Sequence, residues 1–115
     1  MRPLYSFPVR LGLGFWVRVH LWESSAHAPD NGDGRDAAYF LVTDEWPRKL
    51  GDVHLGRNWL DVETVTHEAY HVVAELRRRV DGTNSHRGEE WCAAQLERIV
   101  GRVVAEMKTR GEVVR

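Results

Sequence analysis

The second half of the chain carries two apolar patterns with helical spacing, and these patterns constrain the fold more than any other feature. The first covers residues 61–80, with Asp61 as a candidate N-cap and Gly82 as a stop signal. The second covers residues 88–110. Since each pattern collects its apolar side chains on one face, both helices must bury that face against other elements. The short connection between them predicts an antiparallel pair.

Three short segments before the helices have the composition of β-strands. Residues 15–23 alternate apolar and polar side chains, residues 39–43 are rich in aromatic and β-branched types, and residues 52–55 are predicted as a short third strand. Residues 1–14 and 24–36 contain prolines and glycines and are predicted to be irregular. Strands followed by helices predict an α+β fold, with a small twisted antiparallel or mixed sheet of about three strands.

Length and charge narrow the possible partners. The chain has 115 residues, which predicts one domain over residues 1–115. Its 16 basic and 17 acidic residues give a formal net charge of −1, so neither nucleic acid nor an anionic membrane is expected as a partner. No apolar stretch approaches the roughly 18 residues of a membrane span. Cys92 is the only cysteine in the sequence, which fits a reducing compartment, and we expect a cytoplasmic protein.

Residues 67–71 read His-Glu-Ala-Tyr-His, the H-E-x-x-H pattern, in the middle of the first predicted helix. Histidines four residues apart project from one helix face, so their imidazoles can converge on a tetrahedral Zn²⁺. Glu68 is turned about 100° from His67. From there a carboxylate can act as a general base on a metal-activated water without ligating the metal. The pattern predicts a zinc site on His67 and His71; the alternative is two ordinary surface histidines.

A catalytic zinc site needs a third protein ligand and leaves one position for water. The second predicted helix opens with Glu89 and Glu90. Glu89 continues the apolar stripe of that helix through Cys92 and Leu96, so we predict Glu89 as the third ligand and Glu90 as its substitute. His86, just before the helix, is a further candidate. Acidic residues in a first turn also favour the helix dipole without binding metal, which is the alternative interpretation.

Four other polar or aromatic residues are candidates for lesser roles. Tyr70 and His86 could donate hydrogen bonds to an oxyanion. Tyr70 sits at the margin of the apolar stripe, which favours a position in the core or at its rim. His20 and His54 fall on predicted strands, and we predict both as partly exposed strand residues.

Residues 66–71 (Thr-His-Glu-Ala-Tyr-His) and 89–93 (Glu-Glu-Trp-Cys-Ala) resemble paired motifs of the minimal zincin-like metallopeptidases of gluzincin type. Small proteins of this kind occur among predicted phage-encoded proteins. The resemblance implies zinc on His67, His71 and a glutamate of the second helix, with Glu68 as general base. It also implies a small twisted sheet whose edge strand, here around residues 52–55, binds an extended peptide by strand addition.

These observations predict a zinc-dependent metallopeptidase that hydrolyses a peptide or protein substrate. The alternative is a non-catalytic zinc-binding or degenerate zincin domain that acts as a protein-binding module. Glu68 separates the two, because a structural site has no use for a base beside its ligand and needs a fourth protein ligand instead. No second subdomain is evident to form the far wall of a cleft, which indicates a narrow substrate or a partner that completes the site.

Overall fold

The computed structural model describes residues 2–29, 38–43, 47–80 and 85–115, with the backbone alone for residues 85–87. Within these ranges the chain forms four strands followed by two helices, so the predicted α+β class is confirmed. The elements are β1 (Tyr5–Arg10), β2 (Trp16–Trp22), β3 (Ala38–Val42), β4 (Lys49–Gly56), α1 (Val62–Arg79) and α2 (Ser85–Thr109).

The described strands form one mixed sheet in the order β1-β2-β4-β3. β1 pairs antiparallel with β2, β2 runs parallel to β4, and β4 pairs antiparallel with β3. The prediction that residues 52–55 form the edge is therefore wrong. The chain first passes to the outer position as β3 and then returns as β4 between β2 and β3. Val53, His54 and Leu55 are all buried, as expected of a strand with neighbours on both sides.

The strand β1 lies in a segment that we predicted to be irregular. Phe7 and Val9 are 3% and 1% exposed, and they contribute to the core from one face of this strand. Pro8 lies between them and pairs with Arg18 of β2. Proline is tolerated here because β1 is at the edge of the described sheet, where the missing backbone N–H would face away from the ladder.

The two helices lie on one face of the sheet, as their apolar stripes predict. Both helices and β2 contribute side chains to one buried cluster. Its members include Val65, Ala69, Val72 and Leu76 of α1, Val17, Val19 and Leu21 of β2, and Ile99, Val103 and Met107 of α2. α1 packs over β3 and β4, whereas α2 packs over β1. The helices therefore lie above opposite edges of the sheet.

The boundaries of α1 agree with the sequence pattern to within a residue. Asp61 is the N-cap, and its carboxylate accepts a hydrogen bond of 2.7 Å from the backbone N–H of Thr64. Gly82, the predicted stop signal, lies outside the described residues. α2 begins at Ser85, three residues before the predicted start at Gly88. The loop predicted over residues 24–36 is described only as far as residue 29, and includes a short 3-10 turn at Ser25–His27.

Gly51 and Gly101 provide a matched pair of tests for this packing. A Cβ at Gly51 would lie 2.1 Å from the carbonyl oxygen of Leu41 on β3, whereas a Cβ at Gly101 of α2 meets nothing within 4 Å. Gly51→Ala should therefore lower the free energy of unfolding by about 1–3 kcal/mol, because β3 must move away from β4. Gly101→Ala should raise it by up to about 1 kcal/mol, since alanine is the better helix former. Urea denaturation of both variants measures these changes in the free energy of unfolding. Equal changes in the two variants would contradict the close pairing of β3 and β4.

Candidate metal centre

The packing of α1 decides which of its side chains remain accessible. Val65, Ala69, Val72 and Leu76 face the sheet and are at most 3% exposed. His67 and His71 project from another side of the helix and are exposed. The predicted separation of the apolar stripe from the two histidines is therefore present, and it leaves both imidazoles open to ligands.

The two imidazoles converge on each other. His67 Nε2 and His71 Nε2 are 3.2 Å apart, and their rings meet edge to face with centroids 4.8 Å apart. Two nitrogens bound at about 2.0–2.1 Å to one tetrahedral zinc ion are separated by about 3.3–3.4 Å. The observed separation is within about 0.2 Å of that requirement. Without metal, the same distance allows one ring to donate a hydrogen bond to the other.

Glu68 lies beside the first histidine and is buried. Its side chain is 7% exposed, whereas that of His67 is 70% exposed, and Glu68 Oε2 is 4.0 Å from His67 Nε2. A carboxylate at this distance can accept a hydrogen bond from a water molecule that lies between it and the imidazoles. It would not take the place of either imidazole as a metal ligand. The sequence predicts this adjacency of Glu68 and His67, and their roles as base and ligand stay predictions.

A groove of about 520 Å³ runs along these residues. His67, Glu68 and His71 form part of one wall, and β3 provides the other. The groove therefore lies over the β3 edge of the sheet. An extended chain laid in it would run beside the outer strand and past both imidazoles.

Glu75 and Arg78 also line this groove, and Glu75 was not predicted as a residue of the site. Glu75 follows His71 by one helical turn and is 8% exposed. Arg78 donates to Glu75 through Nε at 3.0 Å and through Nη2 at 2.5 Å. The signal was available, since His67, His71 and Glu75 are spaced four residues apart and therefore share one side of the helix.

Arg79 connects the same carboxylate to the sheet. Its Nε donates to Glu75 Oε1 at 3.2 Å, and its Nη1 and Nη2 donate to the carbonyl oxygens of Lys49 and Thr43 at 2.7 and 2.5 Å. Hydrogen bonds from Arg78 hold the pKa of Glu75 below its usual range, and the hydrogen bond from Arg79 lowers the pKa further. Burial of the carboxylate raises the pKa, but by less than these hydrogen bonds lower it. Glu75 and Arg79 together therefore anchor the end of α1 to β4 and to Thr43, the residue that follows β3.

The predicted third ligands are not part of this cluster. Glu89 and Glu90 are exposed on α2, the helix that packs over the β1 side of the sheet. The expectation that Glu89 continues a buried stripe is therefore wrong, although its role as a ligand stays a prediction. The side chain of His86 lies outside the described residues. Within the described part of the chain, no group of three or more histidine, cysteine, aspartate or glutamate side chains is arranged around one metal position.

Tyr70 stands on the accessible side of α1 and is 66% exposed. Its ring centroid is 6.2 Å from that of His71. The prediction of a position in the core or at its rim is therefore wrong, since Tyr70 is not among the residues packed against the buried cluster. Its role as a hydrogen-bond donor to an oxyanion stays a prediction.

Comparisons with known proteins do not extend these observations. No protein-family model, curated protein or solved structure matches this chain. Neither of the helices, over the residues that are described, combines the length and apolar character needed to cross a membrane.

The anchor formed by Glu75 and Arg79 can be tested by substitution. Arg79→Gln should lower the free energy of unfolding at neutral pH by about 2–3 kcal/mol, since it removes several charge-assisted hydrogen bonds. Arg78→Gln should cost less than about 1 kcal/mol, because the Arg78 side chain is 65% exposed. Denaturation of both variants and the wild type by urea at neutral pH measures the difference.

The same anchor predicts a pH dependence. A carboxyl whose pKa is lowered by folding contributes stability that is present above its unfolded-state pKa. This contribution is lost as the pH falls through the lower folded-state pKa. The stability difference between wild type and Glu75→Gln should therefore be constant at neutral pH and shrink on acidification below the usual glutamate range. A difference that grew on acidification would contradict the pairing.

Proposed function

We propose that this chain is a small zinc-dependent metallopeptidase in which His67 and His71 hold the metal and Glu68 is the general base. The observation that carries the proposal is the 3.2 Å separation of the two Nε2 atoms, with the buried Glu68 carboxylate 4.0 Å from one of them. The resemblance of residues 66–71 and 89–93 to minimal zincin-like metallopeptidases supports the same assignment. We keep Glu89 as the proposed third ligand, with Glu90 as its substitute.

Bound zinc would lower the pKa of a water molecule to about 7 and polarise the carbonyl of the bond to be cleaved. The protein's own contribution begins with His67 and His71, which present neutral Nε2 atoms as ligands. Glu68 then accepts a proton on its carboxylate as the water attacks, and delivers that proton to the departing amine. Because Glu68 is 6% exposed, bulk water has little access to the carboxylate.

The groove beside β3 provides a place for an extended substrate. β3 pairs with β4 on one side, and its other side lies at the edge of the described sheet. A peptide added along that edge would form backbone hydrogen bonds with β3, which lines the groove together with α1. Since the groove has walls only from α1 and β3 in the described structure, a restricted substrate or a partner that completes the site fits this arrangement.

A second candidate is a non-catalytic zinc-binding or degenerate zincin domain that serves as a protein-binding module. The finding that favours it is that Glu89 and Glu90 are not grouped with the two histidines, since α2 packs over the β1 edge of the sheet and the groove lies over the β3 edge. Under this alternative Glu68 has no role as a base.

Cleavage of a complex peptide mixture by the zinc-loaded protein separates these two candidates. Mass spectrometry should detect new peptide termini with the wild type. Glu68→Gln should lower the cleavage rate by about 10²–10⁴-fold, as expected for loss of a general base, and still bind zinc. Glu97→Gln, a change at an exposed glutamate of α2, is the matched control and should cleave like the wild type. Full activity in Glu68→Gln would refute the peptidase mechanism, and a zinc-loaded wild type that cleaves nothing would favour the binding module.

A further inference from the structure

The face of the sheet turned away from the helices carries a second polar cluster. We call it the outer-face cluster: Ser6 of β1, His20 of β2, and Asp52 and His54 of β4. Ser6 pairs with His20, and His20 pairs with His54, in the register of the three adjacent strands. The neighbouring residues of β2, Val19 and Leu21, are fully buried on the opposite face, so His20 must point outward.

Three members of this cluster form a chain of short hydrogen bonds. Ser6 Oγ is 2.7 Å from His20 Nδ1, and His20 Nε2 is 2.7 Å from Asp52 Oδ1. Since an ionised carboxylate only accepts hydrogen bonds, Nε2 carries the ring proton. In the neutral ring Nδ1 is then an acceptor, and the Ser6 hydroxyl donates to it.

The carboxylate that fixes this arrangement is itself held ionised. Burial raises the pKa of Asp52, but hydrogen bonds from His20 and Lys49 outweigh it and leave the pKa below its usual range. Lys49 Nζ is 3.1 Å from Asp52 Oδ2. The anionic acceptor is therefore present at neutral pH, which keeps the proton of His20 on Nε2.

The ring of His20 is also held in place from a second side. It stacks on His54 with ring centroids 4.8 Å apart and an angle of 12° between the planes. Trp22 Nε1 donates to His54 Nδ1 at 3.0 Å, which in turn fixes the supporting ring. The His20 side chain is only 15% exposed, whereas Ser6 is exposed. The hydroxyl thus faces solvent while the imidazole lies behind it.

From this geometry we propose that Ser6 is an activated nucleophile, with His20 as its general base, and that it accepts acyl groups from accessible carboxylic esters. Ser6 Oγ bonds to the ester carbonyl carbon as its proton passes to His20 Nδ1. The bond from that carbon to the alcohol oxygen then breaks, and the alcohol leaves with the proton from Nδ1. Water attacks the acyl group on Ser6, again losing a proton to Nδ1, and the carboxylic acid departs as Ser6 Oγ regains its proton.

Asp52 acts as a positioning residue in this proposal, because it contacts the imidazole and not the ester. Its acceptor oxygen selects the tautomer in which Nδ1 can take a proton from Ser6. The arrangement of nucleophile, base and orienting carboxylate is recognised by geometry and roles rather than by order in the chain. The competing interpretation is that the same hydrogen bonds serve only to tie β1, β2 and β4 together.

Covalent labelling tests the nucleophile directly. The full chain carrying His67→Ala, which removes a ligand of the proposed metal centre, is treated with p-nitrophenyl acetate or a fluorophosphonate. Peptide mass spectrometry then locates the label. Ser6 should be modified at least about 10²-fold faster than Ser24 in the same molecule, as expected from general-base assistance. Ser24→Ala should leave labelling at Ser6 unchanged, and Ser6→Ala should abolish it.

Label on Ser6 no faster than on Ser24, or found only on other residues, would overturn the proposal. Equal labelling in a folded His20→Gln variant would overturn it as well. Because the metal centre is disabled throughout, either outcome leaves the proposed peptidase function unaffected.

The positioning role of Asp52 has its own spectroscopic test. Nitrogen-15 NMR of the histidine rings in the wild type should show His20 with its proton on Nε2 and Nδ1 unprotonated. Asp52→Ala should lose this tautomer preference and slow the labelling of Ser6, with the fold checked by circular dichroism. A wild-type His20 protonated on Nδ1 would contradict the proposal without the need for any variant, because that tautomer could not accept the proton of Ser6.

Discussion

The packing of α1 against β3 and β4 determines where His67, Glu68 and His71 of the candidate metal centre lie. Val72 and Leu76 are completely buried, so the rotation of the helix about its axis is fixed. That rotation turns His67 and His71 away from the core and toward the β3 side, where the groove lies. Asp61 fixes where the helix begins, and the Glu75–Arg79 anchor fixes its far end on the sheet. The 3.2 Å convergence of the imidazoles follows from helix geometry held in this way.

Local patterns in the sequence were sufficient for the helices and for the first elements of the site. The spacing of the apolar stripe predicted α1 and the side from which His67 and His71 project. The same spacing placed Glu68 next to the first imidazole, where the structure has it. These features depend on residues within a few turns of each other, so they can be derived from helical periodicity alone.

Features that depend on distant pairing were harder to predict. The position of β4 between β2 and β3 depends on which strands pair with each other across the sheet. The sequence of a single short segment does not determine that pairing. β1 was missed because Pro8 argued against a strand, although an edge strand tolerates it. Glu89 was expected to face inward, but the side of α2 that is buried depends on how that helix crosses the β1 side of the sheet. The outer-face cluster likewise joins three strands, and only the register brings Ser6, His20 and Asp52 together.

The most direct test of the metal centre is the zinc content of the purified full chain after incubation with zinc and dialysis. We predict about one zinc ion per chain, as expected for a site built on two imidazoles and a carboxylate. His71→Ala should lose the metal, whereas His27→Ala, a change at an exposed histidine outside the groove, should retain it. A folded wild-type protein that binds no zinc, or a His71→Ala variant that binds as much as the wild type, would contradict the account.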